Sequence, residues 1–581
     1  MLSPTVLVLV AGAAALLLLR FIYCGRVSRP RRVTVLVLGD IGRSPRMQYH
    51  AQSLSRAGFH VDLVGLAGAA PHPDTLNDPR ITLHALAPFA PEAVPGLRAL
   101  AASRALPARA LLLAAKAAAQ FALLFYTLLL GVPRPRLVLV QSPPAIPVVL
   151  VARLTSWLVG ARLVIDWHNL GYSILALGPL GRRAPALVAL ARRVELLGGR
   201  LADGHLAVTA ALAGFLVEQR VVDKLSRVAV VHDQPARVFT ELAPAAGAVQ
   251  RKHELFLALE RENTLEGLDR DWYNALVPSA SSSSSADSKS AGNAGDGEYD
   301  EVTMVSRRHA RTGAVTLRPD RPAVVVSGTS WTEDEDFDIL LNAAVALDAA
   351  IAASRSGNSD SSNDNSGAAL PDVLIVVTGR GPRKAHFVAA FAAARLRHVR
   401  FTTVWLRAAD YPRLLRAADV GVSLHYSSSG LDLPMKVVDM FGVTLPVCAV
   451  GFACLAELVQ HGRNGLVFAD DKELAAQLRT LLTGFPSNSN GDGDGDGDGD
   501  GDGDGDDAES EGGNGSGNGS GSKSGDASGS SAIAGATLKS MRAVLRRRVD
   551  ECQWQANWEK CAVPALLTEG GAGEGKAEAG K

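Results

Sequence analysis

Residues Ser427 to Pro446, reading SSSGLDLPMKVVDMFGVTLP, set a glycine-bearing loop directly before an amphipathic helix. Lys436 falls in the first turns of that helix and Asp439 three residues later. Loop amides at Ser429, Gly430 and Leu431 and a helix N-terminus attract phosphate, and Pro434 suits the first helical position. A lysine adds a charge-assisted contact, and an acid can accept hydrogen bonds from ribose hydroxyls. The layout fits a nucleotide diphosphate. The plain alternative is an ordinary loop-helix junction, because Gly and Pro punctuate most of them. A second basic set, Arg380, Arg383 and Lys384 in VTGRGPRK, follows a strand-like run. That places it at the carboxyl edge of a sheet, where ligands bind in open α/β folds.

Two series of strands position these groups. The first begins at VTVLVLGDIGRS (Val33 to Ser44), a β-branched run ending in a short Gly loop with Gly39, Asp40 and Gly42, and continues through HVDLV, ITLHAL, RLVLV, ARLVID, HLAV and RVAVV. Helical stretches lie between most of them, which predicts a doubly wound, Rossmann-like α/β domain over 33–236. The second runs from PAVVVSGTSWTEDEDF through VLIVVTGRG, RFTTVWL, ADVGVSLH, LPVCAV and GLVF, predicting another such domain over 321–485. Residues 237–320 read as a linker with a serine-rich insert, 486–531 as a Gly/Asp/Ser insert, 532–567 as a C-terminal helical segment and 568–581 as a tail.

A chain of 581 residues suits about two to four domains. Lys+Arg and Asp+Glu are each 59, so net charge gives no general attraction to nucleic acid. Five cysteines without CxxC or Cys/His spacing fit a reducing compartment. Residues 1–32 read as a membrane anchor, with an unbroken apolar run from Val6 to Leu19 followed by Arg20, Arg26, Arg29, Arg31 and Arg32. Positive charge after the span argues for an uncleaved transmembrane helix with the rest of the chain in the cytosol. Ala108 to Leu130 is apolar over helix length but carries Arg109 and Lys116, and is expected to lie on the membrane surface. The Asp-x-Asp spacings of the Gly-Asp repeat and of Asp334–Asp336 are not read as metal sites. The latter resembles a helix N-terminal turn, and no metal ligand set is assigned.

Two Rossmann-like domains with a loop-helix phosphate signature in the second suggest a GT-B glycosyltransferase. Ser427 to Pro446, together with SGTSWTEDEDF, VIDWHNLGYSI, VTGRGPRK and KHELF, resembles the eukaryotic chitobiosyldiphosphodolichol beta-mannosyltransferases. The resemblance covers the anchor, both α/β domains and the C-terminal helices. It implies inverting, beta-1,4 transfer of the first mannose of the N-glycan precursor from GDP-mannose to dolichol-diphosphate-linked chitobiose. It also implies an endoplasmic reticulum enzyme, single-pass with cytosolic catalytic domains, and other glycosyltransferases of the same assembly as partners. Different readings are another lipid-pathway GT-B transferase, or a catalytically silent GT-B-like scaffold.

On this resemblance the C-terminal domain holds the donor, through Arg380, Lys384, Ser429, Gly430, Leu431, Lys436 and Asp439, and no metal cofactor is expected. Retaining GT-B enzymes commonly carry two glutamates eight residues apart at this segment. Here Asp439 fills the second place and Leu431 the first, which suits inversion and makes Asp439 a ribose ligand; a surface acid paired with Lys436 is the alternative. Inversion needs a base for the acceptor hydroxyl. Asp166, His168 and Asp40 all lie at or just after strand ends of the first domain, and the sequence does not rank them. His168 could equally be a satisfied loop histidine, and Asp40 a turn or cap carboxylate. Gly39 and Gly42 would allow close backbone approach.

Overall fold

The computed structural model describes residues 31–87, 90, 97–98, 106–244, 246–277, 299–332, 335–356, 370–486, 537–551 and 554–567. The expected anchor at Val6 to Leu19, the serine tract, the Gly-Asp repeat and Asp334 lie outside them.

The first sheet is built from β1 (Arg32–Asp40), β2 (His60–Leu66), β3 (Ile81–Leu86), β4 (Leu137–Ser142), β5 (Arg162–Trp167), β6 (Gly204–Ala207) and β7 (Val228–Val230). All its pairings are parallel, in the order β3-β2-β1-β4-β5-β6-β7. A short antiparallel sheet follows, β8 (Tyr299–Val302), β9 (Ser306–His309) and β10 (Val315–Leu317). The second parallel sheet has β11 (Ala323–Gly328), β12 (Val373–Thr378), β13 (Val399–Val404), β14 (Val420–Ser423), β15 (Val447–Val450) and β16 (Gly465–Phe468), in the order β13-β12-β11-β14-β15-β16.

The β-branched runs form strands buried on both faces, as parallel sheets require. Val373, Ile375 and Val377 of β12 enter one core while Leu374 and Val376 enter the opposite one, the period of two expected of a strand. Strand order reverses between β1 and β4 in the first sheet and between β11 and β14 in the second. These are the points where open α/β sheets leave a crevice at their carboxyl ends. The segment at Ser427 is the loop that leaves β14.

The stretch expected as a linker is folded where it is described. Helix α7 (Ala248–Arg261) and its neighbours contribute Phe239, Phe256, Trp272 and Met304 to the core beneath β11 and β12. Lys252 reaches the buried Asp419, which Arg321 also holds. Apolar residues at Leu255, Phe256 and Leu259 had the helical spacing to do this; the adjoining serine tract masked it.

The C-terminal segment bridges both units. Helix α12 (Leu538–Glu551) places Leu538, Met541 and Leu545 in the second unit, whereas α13 (Trp554–Leu567) returns to the first and buries Trp558, Ala562 and Leu566 beside Val33 and Val35. In the first unit α2 (Leu106–Tyr126), continued by Thr127–Gly131, leaves Leu111, Leu113, Phe121, Leu123, Tyr126 and Leu130 exposed. Pro107–Gly131 is long and apolar enough to cross a membrane, with 17% of its apolar window buried in the protein. Phe337–Ser356 passes the same test, but its Phe337, Leu340 and Leu347 lie in the core.

Candidate active site

Asp166, fully buried, is the penultimate residue of β5, and the chain turns at His168. Arg46 of α1 (Pro45–Arg56) donates to both carboxylate oxygens, Nε to Oδ2 at 2.8 Å and a terminal nitrogen to Oδ1 at 2.9 Å. Arg46 also donates to Val231 O and to Asp233. Burial alone would raise the Asp166 carboxyl, but the Arg46 charge and the donors of His168 and His50 together outweigh it and hold the group well below the ordinary carboxylate range. His168 Nε2 lies 2.8 Å from Asp166 Oδ2. An ionised carboxylate only accepts, so Nε2 carries a proton, and in the neutral ring Nδ1 is then a lone-pair acceptor. Its side chain is 22% exposed. The two neighbouring candidates therefore differ in setting: Asp166 is enclosed by donors, whereas His168 is partly exposed beside it.

Asp40 is a cap. It accepts from Gly42 N at 3.0 Å and from Ala69 N at 2.9 Å, and Arg43 lies beside it. This corrects its candidacy as a base, because its lone pairs are engaged in tying the β1 loop to the β2 loop. A Cβ on Gly42 would meet Ala69 O at 2.2 Å, so that glycine admits protein backbone, not ligand. A Cβ on Gly39 would make only ordinary contacts.

Across the crevice, the Ser427 loop is braced from within. Ser427 Oγ accepts from Gly430 N at 2.9 Å and Ser429 Oγ from Leu431 N at 3.2 Å, while Asp432 accepts from Ser427 Oγ. The amides of Gly430 and Leu431, expected to face phosphate, are thus used inside the loop. Pro434 is the N-cap of α10 (Met435–Gly442) and not its first residue.

Lys436 pairs with the buried Glu335, which also accepts from Thr329 Oγ1 and from Ser330 N. Its aliphatic stem passes Gly328, beside the Tyr411 hydroxyl. Asp439 does not pair with Lys436 and has no hydrogen-bond or ion-pair partner among the described residues. Burial, with the Asp233 charge added, pushes its carboxyl up to about 7. Tyr49, itself pushed up to about 12 by burial, and Tyr411 feel its charge.

Arg380 stacks on Trp405, 4.1 Å from the ring centroid, and Lys384 pairs with Glu266 at 2.6 Å. Both lie at the carboxyl edge as expected, but their side chains engage groups at β13. The loops after β11 and β12 lie back to back. A Cβ on Gly379 or Gly381 would meet Thr329 O or Ser330 O at 1.8 Å.

The two units meet at the Ser427 loop. Thr209 Oγ1 donates to Leu431 O at 2.6 Å, and Asn169 and Ser173 contact Ser428 Oγ. Glu457 caps the N-terminus of α6 (Ala210–Glu218) by accepting from Ala210 N and Ala211 N. Between these contacts a cavity of about 270 Å³ is lined by Gln141, His168 and Asp233 on one side and Asp432, Leu433 and Met435 on the other. The structure brings His168 to the start of the signature segment. Sequence reasoning missed Arg46, Glu335 and Asp233. Glu335 sat in an acidic run read as a helix turn, and Arg46 and Asp233 carried no pattern at all.

Residues 42–233 match the family described as glycosyl transferase 4-like domain, and residues 322–484 the family described as glycosyl transferases group 1. Over 464 residues the chain is 41% identical to "UDP-glycosyltransferase TURAN" of Arabidopsis thaliana, covering 79% of this chain and 90% of that protein. It is 41% identical over 461 residues to the chitobiosyldiphosphodolichol beta-mannosyltransferase of Mus musculus, covering 79% and 83%. The human protein of that name is 40% identical over 456 residues, covering 78% and 85%.

Proposed function

The chain belongs to the chitobiosyldiphosphodolichol beta-mannosyltransferase family of GT-B glycosyltransferases, and from that premise we propose how it works: mannose passes from GDP-mannose to the chitobiose of a dolichol diphosphate, with inversion. The observation that carries this reading is the cleft in which His168, oriented by Asp166, faces the Asp432–Met435 segment. The acceptor hydroxyl oxygen attacks the anomeric carbon as the bond to the GDP oxygen breaks. The hydroxyl proton passes to His168 Nδ1, and GDP leaves with the bonding electrons.

Donor residues divide by task. Asp439, without a partner among the described residues, accepts from the ribose hydroxyls. Lys436 exchanges part of its Glu335 contact for diphosphate, and the first amides of α10, which no side chain caps among the described residues, add to it. Arg380, and Lys384 once released from Glu266, bring further positive charge to the same sheet edge. Ser429, Gly430 and Leu431 hold the loop in shape. The departing charge is met by these cations without a metal ion, and activity is expected to survive EDTA.

The lipid half of the acceptor is served by the exposed apolar residues of α2, with Arg109 and Lys116 on the same helix suited to anionic headgroups. The enzyme then sits on the endoplasmic reticulum membrane with its cleft in the cytosol, the orientation implied by the basic flank after Val6 to Leu19.

The deciding experiment gives purified protein the lipid-linked chitobiose with GDP-mannose or a UDP-sugar. Release of GDP with formation of a β-linked trisaccharide lipid is expected, and His168→Ala should slow it by about 10²- to 10⁴-fold. Turnover only with a UDP-sugar would assign a different donor, and no turnover with either would favour a scaffold.

A further inference from the structure

The buried chain behind His168 continues to the opposite end of the polypeptide. Trp558 of α13, fully buried, donates its indole N–H to His50 Nδ1 at 2.9 Å across 508 residues of sequence. His50, also fully buried, places Nε2 3.2 Å from Asp166 Oδ2, the oxygen that His168 Nε2 approaches at 2.8 Å. Trp554 packs beside this chain, its ring edge-to-face with His50 and under the Arg46 guanidinium, and its N–H bonded to Ser53 Oγ.

Donor and acceptor roles along this chain are forced. An indole nitrogen can only donate, so the His50 nitrogen facing it must accept and cannot carry a proton. Burial pushes the His50 ionisation down, so the ring is neutral and its single proton faces Asp166. The carboxylate then receives one N–H from each histidine and two from Arg46. A second proton on His50 would add a positive charge that draws the shared oxygen away from His168. The indole N–H occupies the only place that proton could take.

We propose that Trp558 and His50 are positioning residues for the transfer: by holding His50 neutral, they keep Asp166 Oδ2 aligned on His168 and fix His168 as the Nε2–H tautomer, with Nδ1 bare toward the cleft. The proposal rests on His168 being the base. It makes the C-terminal helix a working part of the first unit's cleft.

The test uses the full-length protein labelled with ¹⁵N-histidine in detergent, the His168 signals being identified by their loss in His168→Ala. In the parent, His168 is expected as one tautomer, protonated at Nε2. In Trp558→Phe and His50→Ala it becomes a mixture, and kcat falls about tenfold with both KM values unchanged, since the alignment acts on proton transfer. His50→Gln, whose amide can donate to Asp166 and accept from Trp558, restores most of the rate. An unchanged single tautomer in folded His50→Ala and His50→Gln overturns the proposal, even if Trp558→Phe fails to fold. Full activity in His168→Ala overturns the base assignment instead, and the tautomer spectra then decide the alignment alone.

Discussion

The two walls of the cleft satisfy their polar groups in opposite ways. On the first unit's side, Asp166 is saturated: Arg46, His50 and His168 all donate to it, and nothing about it waits for a ligand. On the second unit's side, Asp439 has no partner among the described residues and its carboxyl is pushed up to about 7. A catalytic group gains from being held in place before the substrate arrives. A binding group gains from remaining unpaired until the ligand supplies its partner. On the proposed function, the contrast gives chemistry to the first wall and recognition to the second.

The largest expected effect tests that division directly. His168→Ala should lower kcat by about 10²- to 10⁴-fold, the usual range for removing a general base. GDP affinity, read by calorimetry, should not move. A variant that lost GDP binding with kcat intact would place His168 on the recognition side and break the comparison.

Asp166→Ala should be the most destabilising change in the cleft. It leaves the Arg46 charge buried with only Asp233 to face, and removing one partner of a buried pair costs about 3–5 kcal/mol. Chemical denaturation should show the loss, together with a fall in activity. His168→Ala, which leaves the Arg46–Asp166 pair intact, should lose far less stability. Equal losses from the two would mean that His168 is itself structural.

Asp439 carries a pH signature of definite sign. Its folded carboxyl titrates near 7, against about 4 in an unfolded chain. Between those values the folded protein holds a proton that the unfolded chain has released, so this group makes stability fall as pH rises from about 4 to 7. Asp439→Asn should remove that slope and stabilise the protein above pH 7, on the order of 1–2 kcal/mol once water reaching the carboxylate is allowed for. Donor affinity should run the other way. The ionised carboxylate is the better acceptor for ribose hydroxyls, so GDP binds more tightly above pH 7 than at pH 5. In Asp439→Asn binding should be weaker and flat across that range, and a flat profile in the parent protein would remove Asp439 from the ribose site.

The sheets were legible because runs such as VLIVV and VTVLVLG are β-branched and apolar on both faces, a pattern that only a buried parallel strand satisfies. The loop and helix of Ser427 to Pro446 were legible because they are contiguous in the chain. The first wall was half legible for the opposite reason. Asp40 and Asp166 are both acids at strand ends, and what separates them is Arg46, 120 residues before Asp166, against the neighbouring amides of Gly42 and Ala69. Pairing of that kind leaves no trace in local spacing. The same holds for Lys436, whose partner proved to be Glu335 from 101 residues earlier instead of Asp439 on its own helix.

The smallest effects separate loops that look alike as sequence. Gly430 has φ +72° with open space where a Cβ would point, so Gly430→Ala meets no clash and pays only for the left-handed backbone, about 1 kcal/mol. Because Gly430 N is held by Ser427 Oγ, that strain falls on the turn that presents Asp432 and Leu433 to the cleft, and the GDP dissociation constant should rise severalfold. Gly39 has neither a positive φ nor a close neighbour at its Cβ position. Gly39→Ala should therefore leave stability within about 0.5 kcal/mol and donor affinity unchanged. If it weakened GDP binding as much as Gly430→Ala does, the loop after β1 would be a second donor loop, and recognition would no longer belong to one wall alone.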